Sequence, residues 1–144
     1  MTPDVNVLLA ASRSDHPHHP VAIAWLEGAL TSAARGDRLR VLPMVGAGFL
    51  RLATHPRVFT DPTPLAAAQA FLTALLSAEG VSMAPLGGEW PLLESLCRQH
   101  QLVGNAITDA WIAAAVLTRS DCLVTFDRDF VPLLPARQLV LLTG

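Results

Sequence analysis

The run Ala106-Ile107-Thr108-Asp109-Ala110-Trp111-Ile112-Ala113-Ala114-Ala115-Val116-Leu117-Thr118 is followed, after Arg119-Ser120-Asp121, by Cys122-Leu123-Val124-Thr125-Phe126-Asp127. The first run is rich in alanine and free of Gly and Pro, which predicts a helix over Ala106–Thr118. The second is short, apolar and closed by polar residues, which predicts a buried strand over Cys122–Phe126. A helix that feeds a buried strand is the building unit of a parallel sheet covered by helices. Both elements carry an acid at a telling place. Asp109 is expected in the first turn of the helix, and Asp127 lies two residues beyond Thr125.

Working outward, the same alternation recurs. Ile23, Leu26 and Leu30 give a helical stripe over about Val21–Arg35, which Gly36-Asp37 breaks. Leu39–Leu42 reads as a strand, and Met44–Ala53 as a helix that stops before Pro56. Pro64 suits the first turn of a helix to about Ala78, ended by Gly80. Val81–Ala84 is a strand, Trp90–His100 a helix and Gln138–Leu142 a last strand. Val5-Asn6-Val7-Leu8-Leu9 reads either as the end of a buried strand or as the turn into a helix, and Pro3 suits only a strand's end or edge. Asp15-His16-Pro17-His18-His19-Pro20 is a polar loop. No repeat or low-complexity tract interrupts the pattern. The expectation is an α/β protein, a short parallel sheet flanked by helices, in a single domain over 1–144.

Composition narrows the class. The 144 residues are 51 % hydrophobic and only 15 % charged, an apolar balance that points to an oligomer, with a subunit interface among the buried surface. The net charge of −2 excludes binding of nucleic acid by bulk charge, yet all 10 cationic residues are Arg. Arg forks onto phosphate where Lys does not, although an arginine-biased genome produces the same count. No apolar stretch is long enough to cross a bilayer, and no signal peptide opens the chain. Cys97 and Cys122 make no disulfide framework; buried free thiols in a reducing cytoplasm are expected. There is no Ser-His-Asp pattern, P-loop or glycine-rich dinucleotide fingerprint.

Sites in open parallel sheets form beyond the carboxyl ends of the strands. Asp4, Asp109 and Asp127 are the acids that can meet there. Converged carboxylates repel one another unless a cation sits between them, and hard oxygen ligands select Mg²⁺ or Mn²⁺. Each acid also has an ordinary reading. Asp4 can be a solvated terminal charge, Asp109 a helix-dipole partner, and Asp127-Arg128-Asp129 a surface turn.

The flanking residues join the three. Pro3-Asp4-Val5-Asn6-Val7-Leu8, the run from Phe49-Leu50-Arg51 through Thr54-His55-Pro56-Arg57 to Phe59, Thr108-Asp109-Ala110, and Val124-Thr125-Phe126-Asp127-Arg128-Asp129-Phe130 resemble, in this order, the PIN-domain family. They look most like the VapC-type toxins of bacterial toxin–antitoxin pairs, and the resemblance spans essentially the whole chain. It implies a three-layer α/β/α fold, a Mg²⁺-dependent endoribonuclease, a homodimer and an antitoxin that inserts into the site. Asp4, Asp109 and Asp127 then match the family's metal-binding acids, Asp129 a less regular further acid, and Thr125 a polar position beside the metal. One departure stands out. The family places a Glu on the second helix, and here Val41–Leu50 holds no acid, with Gly48 at the aligned position.

Arg51 and Arg57 are candidates to contact the RNA backbone or the antitoxin, with a salt bridge to a neighbouring acid as the plain alternative. His16, His18 and His19 are either a polar loop near the site mouth or an imidazole metal cluster. Trp25, Trp90 and Trp111 sit in apolar helical runs and read as core or interface. Two rival functions remain: a catalytically silent module that binds antitoxin or RNA, motivated by the missing Glu, and a metal-dependent phosphatase. The second lacks the Asp-x-Asp pair of a covalent mechanism, since Asn6 stands where the second Asp belongs.

Overall fold

A computed structural model describes residues 1–144. The elements run β1 (Thr2–Pro3), α1 (Val5–Ser12), α2 (His19–Ala34), β2 (Leu39–Val41), α3 (Pro43–Ala53), α4 (Leu65–Ser77), β3 (Val81–Met83), α5 (Trp90–His100), α6 (Asn105–Thr118), β4 (Leu123–Thr125) and β5 (Leu139–Leu141). Short 3-10 turns cover Arg128–Phe130 and Ala136–Gln138. Every expected helix and strand is present, with bounds within about two residues. The open choice at Val5–Leu9 falls to helix. Asp4 ends β1 with extended backbone, its Oδ1 accepts from the Val5 amide at 2.7 Å, and its carbonyl accepts from Val7 and Leu8. That N-cap overrides the strand preference of Val5 and Val7.

All strand pairs are parallel. β1 pairs with β4 in the register Thr2↔Leu123, β4 with β5 as Leu123↔Leu139, and β2 with β3 as Leu39↔Val81. The three-stranded and two-stranded ladders meet at Met1. Its nitrogen donates to the Arg38 carbonyl at 3.0 Å, and the Arg40 amide donates to the Met1 carbonyl at 2.9 Å, the two bonds of a parallel pairing. The strand order is therefore β3-β2-β1-β4-β5, with β1 at the centre. Helices pack as α1 against α2 and α3, α3 against α4, and α5 against α6.

Parallel strands covered by helices are apolar throughout, and β4 is buried at all three positions. One cluster of 30 buried residues runs from Leu8 to Leu134, centred on the fully buried Phe49, Phe130, Leu8, Leu39, Leu42 and Leu123. Gly80 is required by this packing. Its φ is +77° and a Cβ there would collide with the Ala33 carbonyl at the end of α2.

Asp121 fastens the other end of the sheet. Its carboxylate accepts from Thr2 Oγ1 at 2.8 Å and the Cys122 amide at 2.8 Å, and it pairs with the Met1 nitrogen at 2.9 Å and Arg40 at 3.5 Å. Burial works to raise its pKa, but these partners outweigh burial and hold it below the usual carboxylate range. Cys97 and Cys122 are free and half-buried, short of the full burial expected. Trp25 and Trp111 pack against the core as expected, whereas Trp90 is 59 % exposed because it opens α5 at the surface. No helix is long and apolar enough to cross a membrane.

Candidate active site

The central strand and its neighbour end side by side, and that brings the acids together. Asp4 follows β1; Asp127 follows β4 by two residues. Asp4 is only 6 % exposed, so it is not a solvated terminal charge. Thr125 Oγ1 donates to Asp4 Oδ2 at 2.7 Å. The same oxygen accepts from Asn6 Nδ2 at 3.1 Å and from the Asp127 amide at 3.0 Å. Asn6 Oδ1 in turn accepts from the Phe126 amide at 3.3 Å. Asp127 Oδ1 caps the Arg128–Phe130 turn through the Asp129 amide at 2.8 Å. The Asp127-Arg128-Asp129 turn is thus real, and it also sets Asp127 at the sheet edge.

Asp109 departs from expectation. α6 begins at Asn105 behind Gly104, so Asp109 lies beyond the first turn and no acid occupies that turn. The helix-dipole reading is lost, because that effect fades within one turn. What acts on Asp109 is its surroundings. Burial, then the charges of Asp4, Asp127 and Asp129, push its carboxyl up to about 6. Burial also raises Asp4, with Asp127 adding to it, while the Thr125 and Val5 hydrogen bonds work against the rise. Four carboxylates therefore share one electrostatic neighbourhood. No three of the chain's His, Cys, Asp and Glu side chains stand together as a ready-made metal cage. Mg²⁺ does not demand one, since it keeps several waters and takes one or two carboxylates plus substrate phosphates. The all-oxygen donor set and its surplus of negative charge fit such an ion.

The remaining candidates are spread around this centre. Gly48 on α3 packs against Val5, next to Asp4; a Cβ there would meet Val5 Cγ2 at 3.0 Å. Arg51 in the last turn of α3 and Arg57 beyond it are exposed, and the ion pairs of the chain involve neither. The plain salt-bridge alternative for both is thereby removed. The histidine loop does reach the site: the His18 ring stacks on Phe126 at 4.7 Å between centroids. It forms no metal cluster. His16 Nδ1 accepts from the His18 amide, and His19 Nδ1 meets the Ala10 carbonyl.

Two residues that shape the site's surroundings escape the sequence reading. Asn6 ties α1 to Thr125 and Phe126, and its position two residues after Asp4 was the available signal. Glu89 is buried and accepts from Trp111 Nε1 at 2.8 Å and from the Gly87 amide at 2.7 Å, anchoring the loop before α5 to the helix that carries Asp109. No local pattern marked it. A groove of about 760 Å³ between α2 and the start of β2, lined by Trp25, Gly28, Arg38 and Arg40, opens at the amino ends of the strands, away from the acids.

A parallel sheet that gathers acidic side chains past the carboxyl ends of its central strands is an acid-centred α/β protein. The chain belongs to the PIN-domain family: the PIN domain model matches residues 1–132. It is 37 % identical to Ribonuclease VapC31 of Mycobacterium tuberculosis over 94 % of each chain. It is 36 % identical to Ribonuclease VapC25 of the same organism, again over 94 % of each. The fold matches a chain in the crystal structure of VapBC2 from Rickettsia felis bound to a DNA fragment from their promoter, with TM-score 0.65 and 16 % identity, covering 96 % of this chain and 94 % of that one.

Proposed function

We propose that the protein is a metal-dependent endoribonuclease, the toxin of a toxin–antitoxin pair. One observation carries the reading: Asp109 is pushed up to about 6 by burial and by Asp4, Asp127 and Asp129, in a chain 37 % identical to a ribonuclease. Asp4, Asp109 and Asp127 would hold Mg²⁺, or Mn²⁺, directly or through water, with Asp129 at the rim. When bound, the ion lowers the pKa of a water and offsets charge on a phosphodiester. The chain's own groups do the rest. Thr125 and the Val5 amide orient both oxygens of Asp4. Burial and the charges of Asp4, Asp127 and Asp129 press on the Asp109 carboxylate, and a cation among the four would relieve that repulsion and hold Asp109 in its charged form. Arg51 and Arg57 stand free for RNA phosphates. The likeness to a chain of VapBC2 and the resemblance to VapC-type toxins support an antitoxin as partner, and the apolar composition supports a homodimer. The test is cleavage of RNA with Mg²⁺ by the wild type, Asp4→Asn and Asp109→Asn. Loss in both variants supports the mechanism; equal cleavage by all three rejects it.

The acid-free helix at Gly48 favours a second reading, a silent module that binds antitoxin or RNA. It requires no Mg²⁺ binding that depends on the acids, and calorimetric titration of the wild type against Asp109→Asn separates the two.

A further inference from the structure

We propose that Arg13 is a positioning residue for RNA binding: it clamps the loop that carries Arg57 to the loop that stacks beside Asp127. Arg13 ends α1, and its side chain is 9 % exposed. Its guanidinium is used on every side. Nε and Nη2 fork onto the Asp15 carboxylate at 3.1 and 2.8 Å. Nη2 also donates to the Asp61 carbonyl at 2.8 Å, and Nη1 to Thr63 Oγ1 at 3.1 Å. The Phe59 ring lies 3.9 Å beneath its central carbon. One side chain thus joins residues 13–18 to residues 54–64.

One of those loops reaches the site, and the other carries a cation free for phosphate. Residues 54–64 carry Arg57, whose amide donates to His55 Nδ1 at 3.0 Å. Residues 13–18 carry His18, stacked on Phe126 between Thr125 and Asp127, and the loop is pinned below by His19 on the Ala10 carbonyl. Arg57 sits four residues past α3, in a turn closed by the Val58 and Phe59 amides on the His55 carbonyl, and Arg13 braces that turn through the Phe59 ring and through Asp61 and Thr63. A planar fork with five donors can hold this geometry; an ammonium at the same place cannot.

The inference rests on the ribonuclease reading, and two measurements keep their failures apart. Exchange of the Val58, Phe59 and Thr63 amides, which donate to the His55 and Ala53 carbonyls, should quicken about tenfold or more in Arg13→Ala without RNA, as local opening becomes cheaper. Steady-state cleavage of a random-sequence single-stranded RNA oligonucleotide with Mg²⁺ should show KM raised about tenfold with kcat within about twofold, the loss of one organised phosphate contact. Arg57→Ala should raise KM similarly, and the double variant should be little worse than either single one, because both act through one contact. Arg13→Lys should recover little. If Arg13→Ala does not fold, Phe59→Leu should show the same pattern at smaller amplitude. Unchanged exchange, multiplicative effects of the two substitutions, or a fall in kcat at constant KM would overturn the proposal. If the wild type neither binds nor cleaves RNA, the ribonuclease reading fails and the positioning role with it, while exchange still reports whether the clamp exists.

Discussion

Thr125 Oγ1 and Asp4 Oδ2 are 2.7 Å apart, so the last residue of β4 holds the carboxylate that ends β1. The hydroxyl has one proton, spent on Asp4, and its lone pairs accept from Asn6 and the Asp127 amide. Three parts of the site therefore depend on one buried oxygen.

Thr125→Val keeps the shape and removes that oxygen. It leaves two donors and a carboxylate short of a partner, so stability should fall by about 1–3 kcal/mol, as for a lost bond to a charged group. Cleavage should fall at least about tenfold, since misplacement of this order costs that much or more. Thr125→Ser should retain most of both. Urea unfolding and cleavage assays check this, and a valine variant equal to wild type would remove Thr125 from the site.

The Asp109 carboxyl has an ordinary value of 3.8 and sits at about 6 in the fold. A raised carboxyl binds its proton more tightly folded than unfolded. Its favourable contribution is complete below 3.8 and is lost as pH rises from there through about 6. Above that window the folded chain carries an unfavourable anion, worth about 1 kcal/mol once solvent screening of a half-buried group is allowed for. Asp109→Asn should therefore raise Tm in chelator at pH 8 by about 3 °C. Wild type should regain more stability from Mg²⁺ than the variant does. Calorimetry with and without Mg²⁺ at pH 5 and pH 8 measures both differences.

Gly48→Glu restores an acid at the aligned family position. The new Cβ would press on Val5 Cγ2, and Val5 is only half-buried, so it can give way. Without metal the added charge joins an already crowded set and should lower Tm. With Mg²⁺ the variant should show a larger gain in Tm than wild type and tighter binding of the ion by calorimetry. An unchanged Mg²⁺ affinity would mean that position 48 does not face the carboxylates.

Glu89→Ala strands the Trp111 indole N–H and the Gly87 amide. A buried donor left without a partner costs about 1–3 kcal/mol. The expected result in urea is a lower midpoint with an unchanged slope, and Glu89→Gln should recover part of it because its carbonyl still accepts from Trp111.

The elements were legible because each is short, apolar and bounded by its own breaker. Trp90–His100 was read to the residue, and Gly36, Gly80 and Pro64 marked ends where they were expected. The choice at Val5–Leu9 was not legible, since Val and Leu serve a strand or a helix and only the Asp4 cap decides. Asp109 falls just past the first turn in which it was expected, because α6 starts one residue earlier, at Asn105, with no capping side chain to mark it. The family resemblance linked Asp4, Asp109 and Asp127. It assigned no role to Asn6, which it contained, and none to Glu89 or Arg13, whose partners include Trp111, Asp61 and Thr63 far along the chain.

Local order of helix and strand, the apolar balance and the identity of the acids are properties of neighbouring residues, and the sequence by itself determined them. The strand order with β1 at the centre, the hydrogen bond from Thr125 to Asp4, the lifted carboxyl of Asp109 and the Arg13 clamp belong to the tertiary structure. Each depends on groups up to 121 positions apart, brought together by burial of one core, and distance in space, not in sequence, sets both hydrogen bonding and charge interaction.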